Sequence, residues 1–208
     1  MSNEKLSCVD CSVRNCEFQN SMYPEFCLTT ELTEEQIEEV LALYQEKVNH
    51  DTMCAAAEVE SEGYLKDCRV EEVINFAKKI GAKKLGIATC VGLLRESRTL
   101  AKILRAHGFE VYGAACKVGA IPKAEVGIHQ DCEALGSTMC NPILQAKILN
   151  REKTDLNLVM GLCVGHDSLF YKYSEALVTT VVTKDRVTGH NPAAVLYNAE
   201  SYYRRLLK

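Results

Sequence analysis

Apolar residues return at two different periods along this chain, and the change of period divides it. Between residues 33 and 80 they recur every three or four positions, as on one face of a helix: Ile37, Val40, Leu41, Tyr44 and Val48 in one stretch, Val70, Val73, Ile74 and Ala77 in another. Thr33-Glu34-Glu35-Gln36 is a capping box that starts the first helix, which is predicted to run to Asn49. The pattern weakens over 51–67, with helix expected around Cys54-Ala55-Ala56-Ala57 and a turn at Gly63. The second stripe predicts a helix over 69–80, stopped by Gly81.

Past residue 80 short apolar runs take over. Those at 84–89, 109–115, 156–162 and 177–183 read as strands, and helical patterns at 94–107, 142–151, 167–173 and 193–206 lie between and after them. Strand–helix alternation of this kind predicts βαβ units, hence an α/β fold with a small four-stranded parallel sheet, doubly wound in the flavodoxin- or Rossmann-like manner. The exception is 118–139, a long connection rich in Gly and Ala, of a length usual for functional or mobile segments. Residues 1–30 show almost no apolar periodicity. The expected division is therefore a cysteine-rich knuckle at 1–30 and an α/β domain at 31–208.

Cysteine placement changes this picture from a fold to a site. Cys8, Cys11, Cys16 and Cys27 are spaced C-x2-C-x4-C-x10-C in the segment least able to pack itself. Four thiolates on a metal or an iron–sulfur cluster would supply the folding free energy that an apolar core otherwise provides. A [4Fe–4S] cluster and a zinc ion both accept four cysteines, and spacing does not separate them. A second set follows the predicted strands: Cys90-Val91-Gly92, Cys116-Lys117-Val118-Gly119 and Cys163-Val164-Gly165. Parallel strands bring their carboxyl ends to one sheet edge, where open α/β folds bind ligands. Cys140-Asn141-Pro142 and His190-Asn191-Pro192 each place a coordinating side chain before an Asn N-cap and a Pro at the first helical position, where the helix dipole favours a thiolate. Cys90, Cys116, Cys140 and Cys163 are thus expected to form a second metal or cluster site. Buried cysteine is also a common small hydrophobe, so packing is the competing reading.

The chain has 208 residues, with 24 basic and 28 acidic side chains and a net charge of −4. No basic block is present to track a phosphate backbone, which argues against nucleic acid. There is neither a secretory leader at Met1-Ser2-Asn3-Glu4-Lys5 nor an apolar run of membrane-spanning length, so a cytoplasmic protein is expected. In that compartment eleven cysteines, an odd number, point to metal or redox chemistry rather than disulfides. No phosphate-binding glycine loop and no G-x-S-x-G elbow occurs.

The remaining candidates are weaker. Cys54, Cys68 and Cys132 stand outside both sets and are equally compatible with packing. His166 and His190 lie near the expected crevice as a further ligand or proton donor, and Asp167 reads equally as a helix cap. Lys117, Lys184, Asp185 and Arg186 fall at strand ends, where they would meet an anionic substrate or simply water. Tyr197, Tyr202, Tyr203, Leu206 and Leu207 give the last helix an apolar face with no assigned partner.

Taken together, CVDCSVRNC, PEFC, IATCVGLLRE, CNPI, GLCVGHDSLF and KDRVTGHNPAAVLY resemble a cysteine-rich family, domain of unknown function 1847, identified only as metal-binding and found mostly in anaerobic bacteria and archaea. The resemblance covers nearly the whole chain. It implies metal binding at Cys8, Cys11, Cys16, Cys27, Cys90, Cys116, Cys140 and Cys163, and its anaerobic setting implies iron–sulfur over zinc, but it supplies no reaction. The leading expectation is a two-site iron–sulfur protein with an electron-transfer or small redox role, acting with a redox partner protein or a small-molecule substrate. The alternatives are a zinc-stabilised binding or regulatory module and a cysteine-dependent enzyme with Cys140 or Cys163 as nucleophile and His166 or His190 as base.

Overall fold

A computed structural model describes residues 5–208. The chain divides into two compact units, one ending at Cys54 and one running from Ala55 to Lys208.

In the N-terminal unit, a short 3-10 turn at Cys8–Asp10 precedes α1 (Asn15–Phe18), α2 (Leu28–Glu31) and α3 (Glu34–Leu43). The Thr33 capping box forms as the sequence predicts, Oγ1 accepting from Gln36 N and the Gln36 side chain accepting from Thr33 N. The predicted helix to Asn49 is instead broken after Leu43. Asn49 Nδ2 donates to the Leu43 carbonyl at 2.9 Å, satisfying an end carbonyl that a continuous helix would have used internally. A new helix, α4 (Lys47–Gly63), then runs unbroken through the stretch whose pattern is weak, from the first unit into the second.

The second unit is an α/β domain. After α5 (Arg69–Lys79), halted by Gly81 at φ +73°, come β1 (Lys84–Thr89), α6 (Leu94–Ala106), β2 (Glu110–Ala115), α7 (Pro142–Arg151), β3 (Leu156–Met160), α8 (His166–Tyr173), β4 (Leu177–Val182) and α9 (Ala193–Tyr197). The four strands form one parallel sheet in the order β2-β1-β3-β4. Strand side chains alternate between two cores. Leu85 and Ile87 of β1, with Leu156, Leu158 and Met160 of β3, pack against Val73, Ile74 and Ala77 of α5 and Leu100, Ala101 and Leu104 of α6. Ala88 and Val159 point the other way, to Ala146 and Leu149 of α7 and Phe170 of α8. Helices on both faces explain why β1 and β3 are buried at nearly every position rather than at alternate ones.

Two polar contacts fix this register, the first exposed and the second buried. Asp155 accepts from Lys83 N and Lys84 N at 2.7 and 2.8 Å, tying the entries of β3 and β1 together. Gly86 faces Asn157 across the β1–β3 ladder, and a Cβ there would lie 2.0 Å from Asn157 Oδ1, so only glycine lets this fully buried Asn keep its hydrogen bonds to Thr154 and Ser174.

The C-terminus departs from expectation. Of the helix predicted over 193–206, only Ala193–Tyr197 forms, followed by turns and a 3-10 segment at Arg204–Leu207. Tyr197, Tyr202, Leu206 and Leu207 stay exposed, so the apolar stripe finds no core to stabilise a longer helix. Asn191 does not cap α9; Pro192 holds that place, and His190 adopts φ +69° with Nδ1 accepting from Asp185 N.

Candidate functional site

From β1 the chain leaves toward β2 on one side, and from β3 toward β4 on the other, so the carboxyl ends of β1 and β3 flank the point where the strand order reverses. Such a reversal opens a crevice in doubly wound sheets. Cys90 follows β1 directly and Cys163 lies just beyond β3. Backbone hydrogen bonds carry the rest of the set to the same edge: Cys90 N donates to Met160 O, Cys116 N to Thr89 O, and Asn141 N to Cys116 O at 2.7 Å. The last of these holds Cys140 beside Cys116, and their Sγ atoms stand 3.8 Å apart. Asn141 then caps α7, its side chain accepting from Leu144 N at 3.0 Å, with Pro142 at the first helical position as the sequence predicts.

The thiols are chemically distinct. Cys116 is 3% exposed and Cys90 is buried beside it, while Cys140 and Cys163 are half-buried. Cys116 donates its proton to the Cys90 sulfur, and the Gly92 N–H and Lys184 ammonium add to this. Together they hold the Cys90 thiol down at about 5 against burial, which pushes it up. The same shared proton, with burial, pushes Cys116 upward. Cys163 accepts from Arg186 Nη2 at 3.0 Å, and the Cys90 and Cys140 sulfurs also act on that guanidinium. Lys184 and Arg186, which the sequence leaves as either anion-binding or solvated, therefore face the thiols. Lys117 does not; its ammonium donates to Thr138 O in the long connection. Asp185 folds its own turn by accepting from Val187 N and Thr188 N. His166 begins α8, Asp167 lies in its first turn with the N-cap at Gly165, and His190 is occupied by Asp185 N.

One residue of the site carried no sequence signal. Gln145 of α7 is fully buried, and its Nε2 donates to Thr89 O at 3.1 Å and Ala114 O at 2.7 Å. It clamps the ends of β1 and β2 just before Cys90 and Cys116, while its Oε1 is buried without a protein partner. A buried Gln is rare enough to flag, but its carbonyl partners become visible only once the sheet is assembled.

The N-terminal set is built differently. Cys8, Cys11, Cys16 and Cys27 all line one cavity of about 110 Å³, with Arg14, Asn15, Pro24, Phe26 and Thr29. Asn15, 3% exposed, is the hub of this loop: its Oδ1 accepts from Asn20 N and Ser21 N at 2.9 Å, and its Nδ2 donates to Ser21 O. Among the described residues no three His, Cys, Asp or Glu side chains already stand in the arrangement of ligands to a single ion. Both donor sets suit a thiophilic metal in type and number; the thiols of each would shift to close on one. Of the other cysteines, Cys54 is exposed within 3.7 Å of His50, Cys68 is exposed at the start of α5, and Cys132 is exposed in the 3-10 segment Gln130–Leu135.

A doubly wound parallel α/β domain carrying three strand-end cysteines and a fourth at the start of α7, joined to a cysteine-lined N-terminal unit, is the class of protein these features define. The chain belongs to the family of proteins of unknown function DUF1847, whose profile matches residues 27–181. That span holds Cys90, Cys116, Cys140 and Cys163 and, of the N-terminal set, Cys27 alone. The chain is also 41% identical over 203 residues to an uncharacterised protein of Methanocaldococcus jannaschii, across 98% of this chain and 99% of that protein. Among the described residues no helix is long and apolar enough to cross a membrane.

Proposed function

We propose that this is a metal-binding protein with two all-cysteine centres, one held by Cys8, Cys11, Cys16 and Cys27 and one by Cys90, Cys116, Cys140 and Cys163, and that its iron–sulfur chemistry serves electron transfer or a small redox reaction. The observation that carries the reading is the gathering of four thiols from four separate segments at the point of strand-order reversal, beside Lys184 and Arg186. Thiols used only for packing have no need of cations. A centre ligated by four thiolates is net negative whether it is a [4Fe–4S] cluster or a zinc ion, and the two side chains supply the opposite sign in a partly buried setting where it counts. In the N-terminal unit, the shared cysteine-lined cavity and the absence of a buried apolar residue among those described support the same chemistry.

A zinc-stapled binding module is the second reading, and one distance favours it. Zinc–sulfur bonds of about 2.3 Å in a tetrahedron set the sulfurs about 3.8 Å apart, and Cys116 and Cys140 stand at 3.8 Å. A third reading, the cysteine-dependent enzyme, would take Cys90 as nucleophile in place of the expected Cys140 or Cys163, because Cys90 is the low-lying thiol.

Anaerobic purification followed by iron, zinc and acid-labile sulfide analysis and a visible spectrum on the same sample separates the three. Iron with matching sulfide and broad visible absorption is the expected result. Zinc in a colourless sample would leave the stapled module, and no metal at all would leave the enzyme. The double variants Cys8→Ser/Cys11→Ser and Cys116→Ser/Cys140→Ser should each remove about half of the bound metal if two equal centres exist.

A further inference from the structure

On the sheet face opposite α7, a groove of about 350 Å³ runs between α6 and the outermost strand, lined by Ile87, Leu94, Ser97, Arg98, Ala101, Lys102, Arg105 and Gly113. Its depth comes from Gly113. An added Cβ there would meet only Ile87, at 3.6 and 3.9 Å, so packing does not require glycine; the missing side chain serves to keep the groove open. Its rim is cationic. Arg98, Lys102 and Arg105 recur at helical spacing along α6, next to the buried Ser97, Leu100, Ala101 and Leu104, and all three are exposed. Among the described residues none of the three pairs with a carboxylate, in a chain whose net charge is −4.

The groove also borders an unfilled strand position. β2 pairs with β1 alone, and Glu110 N and Cys116 N both point to it, donating to Lys83 O and Thr89 O. By the alternation of a parallel ladder, Val111, Gly113 and Ala115 then direct their backbone groups to the outer edge. Arg105 Nη2 reaches that edge, donating to Val111 O at 3.1 Å. Val118 N takes Ala115 O as well, so of the three outward carbonyls Gly113 O is the one left open, and no proline, bulge or lysine within β2 blunts the edge there.

We propose that this groove binds an extended acidic segment of a partner protein, which adds as a fifth strand beside β2 and sets its carboxylates against Arg98, Lys102 and Arg105. A free strand edge calls for extended backbone, the opening at Gly113 takes an alternate side chain, and the unpaired cations call for carboxylates. A compact phosphate ligand would use the cations and leave the edge unused. The inference is independent of any metal.

The test is selection of a displayed peptide library on the full-length protein, followed by fluorescence anisotropy with the most enriched peptide. Enriched sequences should be acidic with alternating apolar positions, and their binding should weaken with salt. Lys102→Glu and Gly113→Val should each weaken binding by about tenfold or more, the second with thermal stability intact because valine suits a strand. Lys147→Glu, on α7, should leave the affinity unchanged. Failure to enrich acidic peptides, equal binding to both groove variants, or displacement by inorganic triphosphate at equal affinity would overturn the proposal, the last in favour of a small-anion site.

Discussion

The proton between Cys90 and Cys116 is one contributor to how the metal-free domain answers to pH, beside the lowered carboxyls of Glu71 and Asp185. Between about 5 and the ordinary thiol value of 9.0, the folded pair holds one proton where the unfolded chain holds two, so this pair adds stability as pH rises through that window. The contribution of Cys90 is complete above 9.0 and lost as pH falls through about 5. Cys116 runs the opposite way, because its thiol is raised: above 9.0 the folded pair keeps a proton that the unfolded chain has released, and stability declines again. In metal-free protein one thiolate equivalent should therefore appear in the ultraviolet spectrum near pH 5 and vanish in Cys90→Ser. A titration with no thiolate below pH 8 would refute the sharing. The sequence shows both cysteines as strand-end residues but not their pairing, because the hydrogen bond joins residues on neighbouring strands and depends on β1–β2 register. For the same reason Lys184 and Arg186 read as either solvated or functional until β4 is placed beside β3.

At the scale of elements, α7 does two jobs. Its N-terminus holds Cys140 near Cys116, and Gln145, one turn in, bridges Thr89 O at the end of β1 and Ala114 O near the end of β2. Gln145→Leu keeps the bulk and removes two buried hydrogen bonds, although Thr89 O still accepts from Cys116 N, a loss expected to cost about 1–3 kcal/mol at about 0.5–1.5 kcal/mol for each bond. Leu104→Ala in α6, on the opposite face, should cost about 2–5 kcal/mol by opening a cavity. Chemical denaturation gives both values. Only the first substitution should also move the thiolate titration, and a shift in Leu104→Ala would show that the site responds to stability alone. The elements themselves were largely legible: apolar runs marked all four strands, and Asn141-Pro142 marked the start of α7. What failed were helices judged by periodicity without a partner. The stretch 193–206 carries Tyr197, Tyr202 and Leu206, all of them exposed, and the helix ends at Tyr197. The break after Leu43 turned on one side chain, Asn49, capping a carbonyl six residues back.

At the scale of the whole molecule, the two units are stabilised by different means. The α/β unit has two apolar cores, one on each sheet face. In the N-terminal unit Asn15 is the only buried residue among those described, and Ile37, Val40, Leu41 and Tyr44 of its longest complete helix are exposed. One amide hub and a cysteine-lined cavity are little to hold fifty residues against chain entropy, which costs about 1–2 kcal/mol for each residue ordered. Ligation at Cys8, Cys11, Cys16 and Cys27 is the term able to offset it. Brief proteolysis should therefore leave the metal-loaded chain intact. After chelation, or in Cys11→Ser, cuts should appear before Cys54 while a fragment containing Ala55–Lys208 survives. Hydrogen exchange would give the same contrast amide by amide, with protection lost around Asn15 and Ser21 and kept in β1 and β3. Equal protection of the N-terminal unit with and without metal would mean that some other contact holds it, and the metal reading of those four cysteines would fall with it.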